Sequence, residues 1–396
     1  MKPTAKKTLS QGRSQSGLRD HNVRQILSLI RTQGQLPKAE IAKNLGLSAQ
    51  AVTVITTELE EEGLIIKQRS QKGKVGKPIV PLSINPDGAF AIGLKVDRRN
   101  FELTLIDFVG NVRASLSENF AYPTVGALLA FVKRGIKAIS VSLSAESKNR
   151  IKGLGIATPY QIWNWAEEAG APQDVMHQWQ NFDFENQLSA LTHLPIYISN
   201  DDTAACSAEL CFGNTQQYQH FLYMFIGPFI GGGLVLNQKI FSGKSGNAAA
   251  IGSIPLGLSS VASLSSSAPN RQLINQSSLF LLENRLKTQG IDTRILYFAN
   301  SQWQGFDDIL TNWIDTIADG LVYASLTATA ILDLEAVIID GAVPQAVKQR
   351  IVETVKQKYQ SSDTRGLTQL EFCCGELGRQ AQAIGSANLP LLAQYY

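Results

Sequence analysis

The chain has 396 residues, 44 % of them apolar, which is enough to build two or three globular units and leaves disorder as the poorer reading. Its formal net charge of +3 hides a split: residues 1–82 carry 14 Lys/Arg against 6 Asp/Glu, and the remainder carries 22 against 27, so any polyanion is expected to meet the head alone. No run approaches the roughly 20 apolar residues of a membrane span, the basic N-terminus lacks the apolar core of a secretory signal, and Cys206, Cys211, Cys373 and Cys374 have neither zinc nor disulfide-framework spacing. The expectation is a cytoplasmic protein with reduced thiols, no bound metal, no cofactor and no membrane partner.

Residues 1–18 are rich in Ser, Gln, Gly and Lys and are expected to form a flexible basic arm. From Asp20 the pattern changes, with Val23, Ile26, Leu27 and Ile30 marking one buried helix face that Gly34 closes. Pro37 suits the first turn of a second helix whose inner face is Ile41, Ala42 and Leu45. Gly46 permits a tight turn, Ser48 is an N-cap, and Val52, Ile55 and Leu59 supply the buried stripe of a third helix. Helix, short glycine turn, helix is the spacing of a DNA-reading module. Gln50, Thr53, Val54 and Thr57 then face base edges, Gln50 being the best candidate for direct readout.

After Gly63, apolar residues 64–66 and 79–82 flank a tip containing Lys72, Lys74 and Lys77, the pattern of a β-wing whose lysines would contact phosphates. A small helical docking domain with a solvated basic loop is the alternative. The wing, the basic arm and the charge split occurring together weigh against it. The winged helix-turn-helix is therefore placed at residues 19–84, and Asn85-Pro86-Asp87-Gly88 is a turn cluster at its end.

The body, residues 85–396, opens with strand-like runs at 91–96, 101–106 and 112–117, with Gly110-Asn111 as a turn, then a helix over 124–138 and a strand at 151–157. Buried strands are also expected at 195–199 and 221–226, enclosing a helix at 202–210. Residues 231–237 pair into 239–241 around Gln238, and a long helix at 307–329 precedes a strand at 336–339. Two such lobes would create a cleft, where small ligands usually bind. Trp163, Asn164 and Trp165 are candidates for lining it, although a Trp pair near a loop is also ordinary packing.

Taken in order, the winged helix-turn-helix, Gly76-Lys77-Pro78, Asn85-Pro86-Asp87, Asn200-Asp201-Asp202-Thr203-Ala204-Ala205, Gly231-Gly232-Gly233 and Gly246-Asn247-Ala248 resemble the ROK family of repressors, open reading frames and sugar kinases. The resemblance runs from about residue 18 to near the end. It implies an α/β fold class: a winged helix-turn-helix followed by a two-lobed, actin-like (ribonuclease H-like) ROK domain with a sugar in the cleft. In the family's kinases the Asp of the Asn-Asp pair is the general base, the place Asp201 holds here, with Asn200 beside it able to donate and accept. That Asp201 or Asp202 only N-caps the following helix remains open.

The chain departs from the kinase pattern at four places. Leu94-Lys95-Val96-Asp97-Arg98-Arg99 stands where a Gly-Gly-Thr phosphate loop is expected, and Gly227-Pro228-Phe229 stands for Gly-Thr-Gly. Ala250 and Ser253 replace a sugar-binding Glu and His, with Ser253 still able to bond a ligand. Residues 254–290 contain no Cys or His, which removes the family's structural zinc. The expectation is accordingly a transcription regulator, a repressor of sugar uptake or catabolism genes. It would have no catalytic residues, Asp201 being a vestigial base, and would bind double-stranded operator DNA and a sugar or sugar-derivative effector as a homodimer or homotetramer. A sugar kinase carrying a DNA-binding head is the runner-up, and a docking protein the third reading.

Overall fold

The computed structural model describes residues 15–70, 79–166, 171–256, 272–298 and 301–396. They form two compact units, one of the described residues up to 89 with 391–396, the other of the described residues between 90 and 390. The expected wing lysines Lys72, Lys74 and Lys77 lie outside the described residues, as do residues 1–14 of the expected arm.

The amino-terminal unit is built on three helices, α1 (Gln15–Gln33), α2 (Lys38–Leu45) and α3 (Ala49–Glu61), and a two-stranded ribbon, β1 (Ile65–Lys67) against β2 (Leu82–Ile84). Ile26, Leu27, Ile30, Ile41 and Val52 are fully buried, so the periodicity of the sequence does mark the core face. Helix α1 begins at Gln15, inside the stretch expected to be an unstructured arm. Nearby, Arg19 is tied to Glu58 of α3 at 2.6 Å. Gly46 takes the left-handed conformation (φ +64°) that ends α2, and its N–H reaches the carbonyls of Ala42 and Lys43. Asn85 caps the turn at Pro86–Gly88 and donates to the Gly63 carbonyl. In the same unit the chain's last residues meet α1: Arg24 Nη2 donates to the Ala393 carbonyl at 2.7 Å, and the Arg31 guanidinium lies 4.6 Å from the centre of the Tyr396 ring.

The second unit contains two five-stranded sheets of the same topology. In the first, β3 (Phe90–Val96), β4 (Asn100–Asp107) and β5 (Val112–Asn119) form an antiparallel meander. To it β6 (Ile151–Thr158) and β7 (Ile196–Asn200) add in parallel, in the order β5-β4-β3-β6-β7. In the second, β8 (Phe221–Ile226), β9 (Ile230–Leu236), β10 (Lys239–Ile240), β11 (Ala336–Gly341) and β12 (Glu371–Cys374) take the order β10-β9-β8-β11-β12. Each sheet is thus three meandering strands followed by two parallel ones, a duplicated plan covered by helices.

Side-chain chemistry fixes the turns. The first meander's turn is organised by Asp107, fully buried, which accepts bonds from the backbone of Val109 and Asn111, from Asn111 Nδ2 and from Arg113 Nε. The second uses Asn237 and Gln238, both near φ +55°, as a two-residue hairpin turn matched to strand twist. Helix α4 (Val125–Ile139), capped by Thr124, packs Leu128, Phe131 and Val132 into the first lobe. In the second lobe α6 (Asp307–Leu332) and α7 (Gln345–Gln360) pack on the sheet through residues such as Trp313, Leu321, Ile351 and Val355. Helix α5 (Asp201–Phe212) joins the lobes, and α8 (Ala381–Tyr395) closes the chain. Among the described residues no helix is long and apolar enough to cross a membrane.

Candidate functional site

Two surfaces carry the candidate residues. On α3, Val52, Ile55, Thr56 and Leu59 are buried while Gln50, Thr53, Val54 and Thr57 are exposed, so the four expected base-facing residues share one open face at i, i+3, i+4 and i+7. Ser48 accepts a bond from the Ala51 N–H and is a cap. The Thr53 and Thr57 hydroxyls donate back to the carbonyls of Ala49 and Thr53, beside the exposed Val54. The acidic run on α3 is partly neutralised from within the unit: Glu58 by Arg19, and Glu60 by Lys38 and Lys67.

In the second unit a cavity of about 130 Å³ opens where the C-terminal ends of β3 and β6, the start of α5 and the β8–β9 turn converge. Strand ends at a lobe crossing are where open α/β sheets leave a crevice. Asn200, Asp201 and Ser253 of the expected ligand set line it; Asn164 does not. Asn164 is exposed on a short 3-10 turn, where its amide donates to Gln161, and Trp163 packs against the first-lobe core. The crossing residues on this side are instead Pro159 and Tyr160.

The cap of α5 is Asn200, whose Oδ1 accepts from the backbone of Asp202 and Thr203. The capping role considered for Asp201 or Asp202 therefore falls to their neighbour. Asn200 Nδ2 donates to Asp201 Oδ1 at 3.1 Å, and this aims the carboxylate at the cavity. Burial, with Asp97 nearby, pushes the Asp201 carboxyl up to about 6, Arg98 and Lys95 opposing. Burial and the Asp201 charge push Asp202 further up. Burial thus disfavours the charge on both carboxyls, and a neighbouring carboxylate adds to that cost in each case.

Facing them is the C-terminal end of β3 with the turn that follows it. Asp97 pairs with Lys95 at 3.3 Å and accepts from the Arg98 N–H. Burial works against the Asp97 charge, yet Lys95 and that N–H hold its carboxyl below the usual range. The Arg98 guanidinium lies 3.6 Å from the centre of the Phe229 ring, a cation–π contact that joins the first-lobe turn to the second-lobe turn. Ala250 and Ser253 sit on the opposite wall, where Ala250 offers no polar group.

Gln382 is a pocket residue that the sequence did not disclose. It comes from the first turn of α8, is 8 % exposed, and donates through Nε2 to Asp202 Oδ1 at 3.0 Å and to Asp201 Oδ2 at 3.3 Å. Nothing marks it in the sequence except a position at the start of a helix far from the Asn-Asp pair. Among the described residues no group of three or more His, Cys, Asp or Glu side chains is arranged to hold a metal ion.

A helix-turn-helix with an open recognition face, joined to a duplicated α/β domain with a carboxylate-lined cleft, defines a DNA-binding regulator on a kinase-like scaffold. The comparisons give the family. The ROK family model matches residues 92–392 and a model described as winged helix-turn-helix DNA-binding matches residues 19–66, so the chain belongs to the ROK family and is one of its winged helix-turn-helix regulators. An uncharacterised protein of Sinorhizobium fredii, y4fQ, is 23 % identical over 376 residues, 95 % of this chain and 92 % of that protein. A xylose repressor of Caldicellulosiruptor bescii is 25 % identical over 290 residues, 72 % of this chain and 70 % of the repressor. Among solved structures, a ROK family transcriptional regulator described as a homologue of the Escherichia coli MLC protein superposes with a TM-score of 0.66 at 18 % identity. That match covers 95 % of this chain and 97 % of that one. It carries the fold, and the two-lobed, actin-like plan expected from the sequence is the one found.

Proposed function

We propose that this chain is a repressor of sugar uptake or catabolism genes whose ROK domain binds a sugar or sugar derivative as effector and transfers no phosphoryl group. The observation that carries the reading is the pocket itself. Asn200 and Asp201 keep the donor–acceptor pair that grips a hydroxyl, while Asp97, Arg98 and Phe229 occupy the two turns where backbone amides would have to cradle phosphates. Phosphoryl transfer depends on positioning and charge stabilisation of the transferring group. A carboxylate and an aromatic ring in those turns supply neither. The similarity to a xylose repressor supports a pentose or hexose as effector class.

In this reading Gln50, Thr53, Val54 and Thr57 meet base edges in the major groove, Ser48 fixes the helix start, and Lys72, Lys74 and Lys77 contact phosphates from the wing. The ligand lies against Asn200, Asp201 and Ser253. Two heads of a symmetric oligomer read two half-sites, and ligand-dependent lobe closure shifts the population between DNA-binding and released states. All of this takes place in the cytoplasm.

The test is fluorescence anisotropy of the full chain on its own upstream intergenic DNA and on random DNA at physiological salt, with and without D-xylose and a panel of hexoses and amino sugars. Preference for its own DNA, reversed by one sugar that also raises the melting temperature, is expected. Equal affinity for both DNAs overturns the regulator reading. The kinase alternative draws on the retained Asp201 and predicts sugar-dependent ATP consumption that Asp201→Asn abolishes.

A further inference from the structure

Gln382 stands at an unusual junction. Its amide bridges the paired carboxylates Asp201 and Asp202 inside the pocket, and its helix α8 runs on without a break to Tyr395. Three glycines hold that helix against the pocket scaffold. A Cβ at Gly385 would come within 2.2 Å of the Ala204 carbonyl on α5, one at Gly93 within 2.2 Å of Ser386 Oγ, and one at Gly155 closer still to the Ser386 carbonyl. Asn388, fully buried, adds a bond from Nδ2 to the Ser207 carbonyl of α5. Helix α8 therefore cannot shift without α5, the helix that carries Asp201 at its first position. The last six residues, Leu391–Tyr396, belong to the amino-terminal compact unit, where Arg24 of α1 holds the carbonyls of Ala393 and Tyr396.

We propose that Gln382 is the positioning residue by which the pocket reports its occupancy: a ligand hydroxyl that donates to Asp201 takes over that arm of the bridge, and the first turn of α8, then held by Asp202 alone, loosens the hold of residues 391–396 on α1. The proposal rests on the reading of the cavity as an effector site. A carboxylate oxygen that accepts from Gln382 at 3.3 Å is the weaker arm of the bridge and the one a hydroxyl can take over. The stronger arm, to Asp202, then carries Gln382 alone. The charged groups facing this bridge are Lys95, Asp97 and Arg98 from β3 and its turn, and Asp201 and Asp202 from α5. A second acceptor introduced at position 382 would meet carboxylates and be repelled.

The experiment uses the full chain with Gln382→Met, which keeps the length and removes the donor, and Gln382→Glu, which donates only when protonated. Without any ligand, Gln382→Met is expected to lose on the order of five- to tenfold in affinity for the chain's own upstream DNA, a typical coupling between sites, and to exchange its amides in 391–396 faster than wild type. Gln382→Glu is expected to show that loss relative to wild type at pH 8 and to recover at pH 5.5, a rescue that a merely structural role would not produce. Exchange in 391–396 and DNA affinity both unchanged in Gln382→Met overturn the proposal. If wild type ignores D-xylose and the rest of the sugar panel while Gln382→Met still shows both changes, the coupling stands and the sugar-effector reading falls.

Discussion

Glu209 gives the sharpest quantitative test of the second lobe. Its side chain is almost completely buried on α5, and both carboxylate oxygens accept from the Glu376 N–H at 3.1 and 3.3 Å. Burial, with the Asp340 carboxylate as the next cause, pushes its carboxyl from the ordinary 4.5 up to about 7. In the folded protein Glu209 keeps its proton up to about pH 7, whereas the unfolded chain loses it near 4.5. Unfolding therefore releases a proton in that window, and stability falls as pH rises from about 4.5 to about 7. A shift of that size corresponds to about 3 kcal/mol, reached above pH 7 and absent below 4.5. Glu209→Gln removes the charge and keeps an oxygen for the Glu376 N–H, so the variant should exceed wild type by roughly 1–3 kcal/mol at pH 8 and match it at pH 4.5. Urea titrations followed by tryptophan fluorescence at several pH values measure this, Trp303 and Trp313 being buried in the second lobe. A variant that parallels wild type at every pH, or is weaker at pH 8, refutes the account.

Lys348, 1 % exposed, donates to Asp340 Oδ1 at 2.7 Å and to the Gly375 carbonyl, while Asp340 also accepts from the Tyr223 hydroxyl and the Gly378 N–H. Lys348→Met should cost about 3–5 kcal/mol in urea unfolding because it leaves a buried carboxylate without its cation, and adding Asp340→Asn, which removes the charge and keeps an acceptor for Tyr223 and Gly378, should restore part of it. Gly155→Ala places a methyl group on the Ser386 carbonyl and should destabilise by about 1–3 kcal/mol, with faster amide exchange in 381–390 as the readout. On DNA, Gln50→Ala should blur discrimination among operator variants with the salt slope unchanged. Lys74→Ala should weaken binding to all sequences alike and reduce that slope by about 1.

The parts legible in the sequence are those in which one chemical signal dominates. The apolar run at 221–226 is legible as a buried strand, and β8 is buried at every position; the same expectation fails at 195–199, where β7 is only half-buried and Ile198 is exposed. The face of α3 followed from the spacing of Val52, Ile55 and Leu59, although Thr56 is buried with them, its hydroxyl satisfied by the Val52 carbonyl. The hairpin turn expected around Gln238 takes Asn237 as well, since both central residues must adopt positive φ. Helix α8 is not legible in the sequence for a physical reason. Residues Ala381, Ala383, Ile384, Ser386, Ala387, Asn388 and Leu391 are all buried, so no polar face gives the helix a period, and Gly385 and Pro390 look like breakers. Gln382 was hidden with it. The tryptophan neighbours of Asn164 point to the cleft, but an aromatic flank says nothing of which way a short 3-10 turn points its amide.

The Asn-Asp-Asp and Gly-Gly-Gly segments lie about thirty residues apart in the chain, yet they act as one device. A Cβ at Gly231 would fall 1.7 Å from Asp202 Oδ2, and one at Gly233 would fall 2.3 Å from the Cys206 Cβ. Strand β9 must therefore be bare at both positions for α5 to lie on it, and only with α5 seated can Asn200 cap it and direct Asp201 into the cavity. Gly231 and Gly233 thus serve helix seating, a need that persists whether or not a nucleotide is ever held. That explains how this chain can keep those two glycines while its other two turns carry Asp97, Arg98 and Phe229. On the proposed reading, Asn200 and Asp201 need those two glycines in order to meet a ligand hydroxyl, and phosphoryl transfer would need the turns.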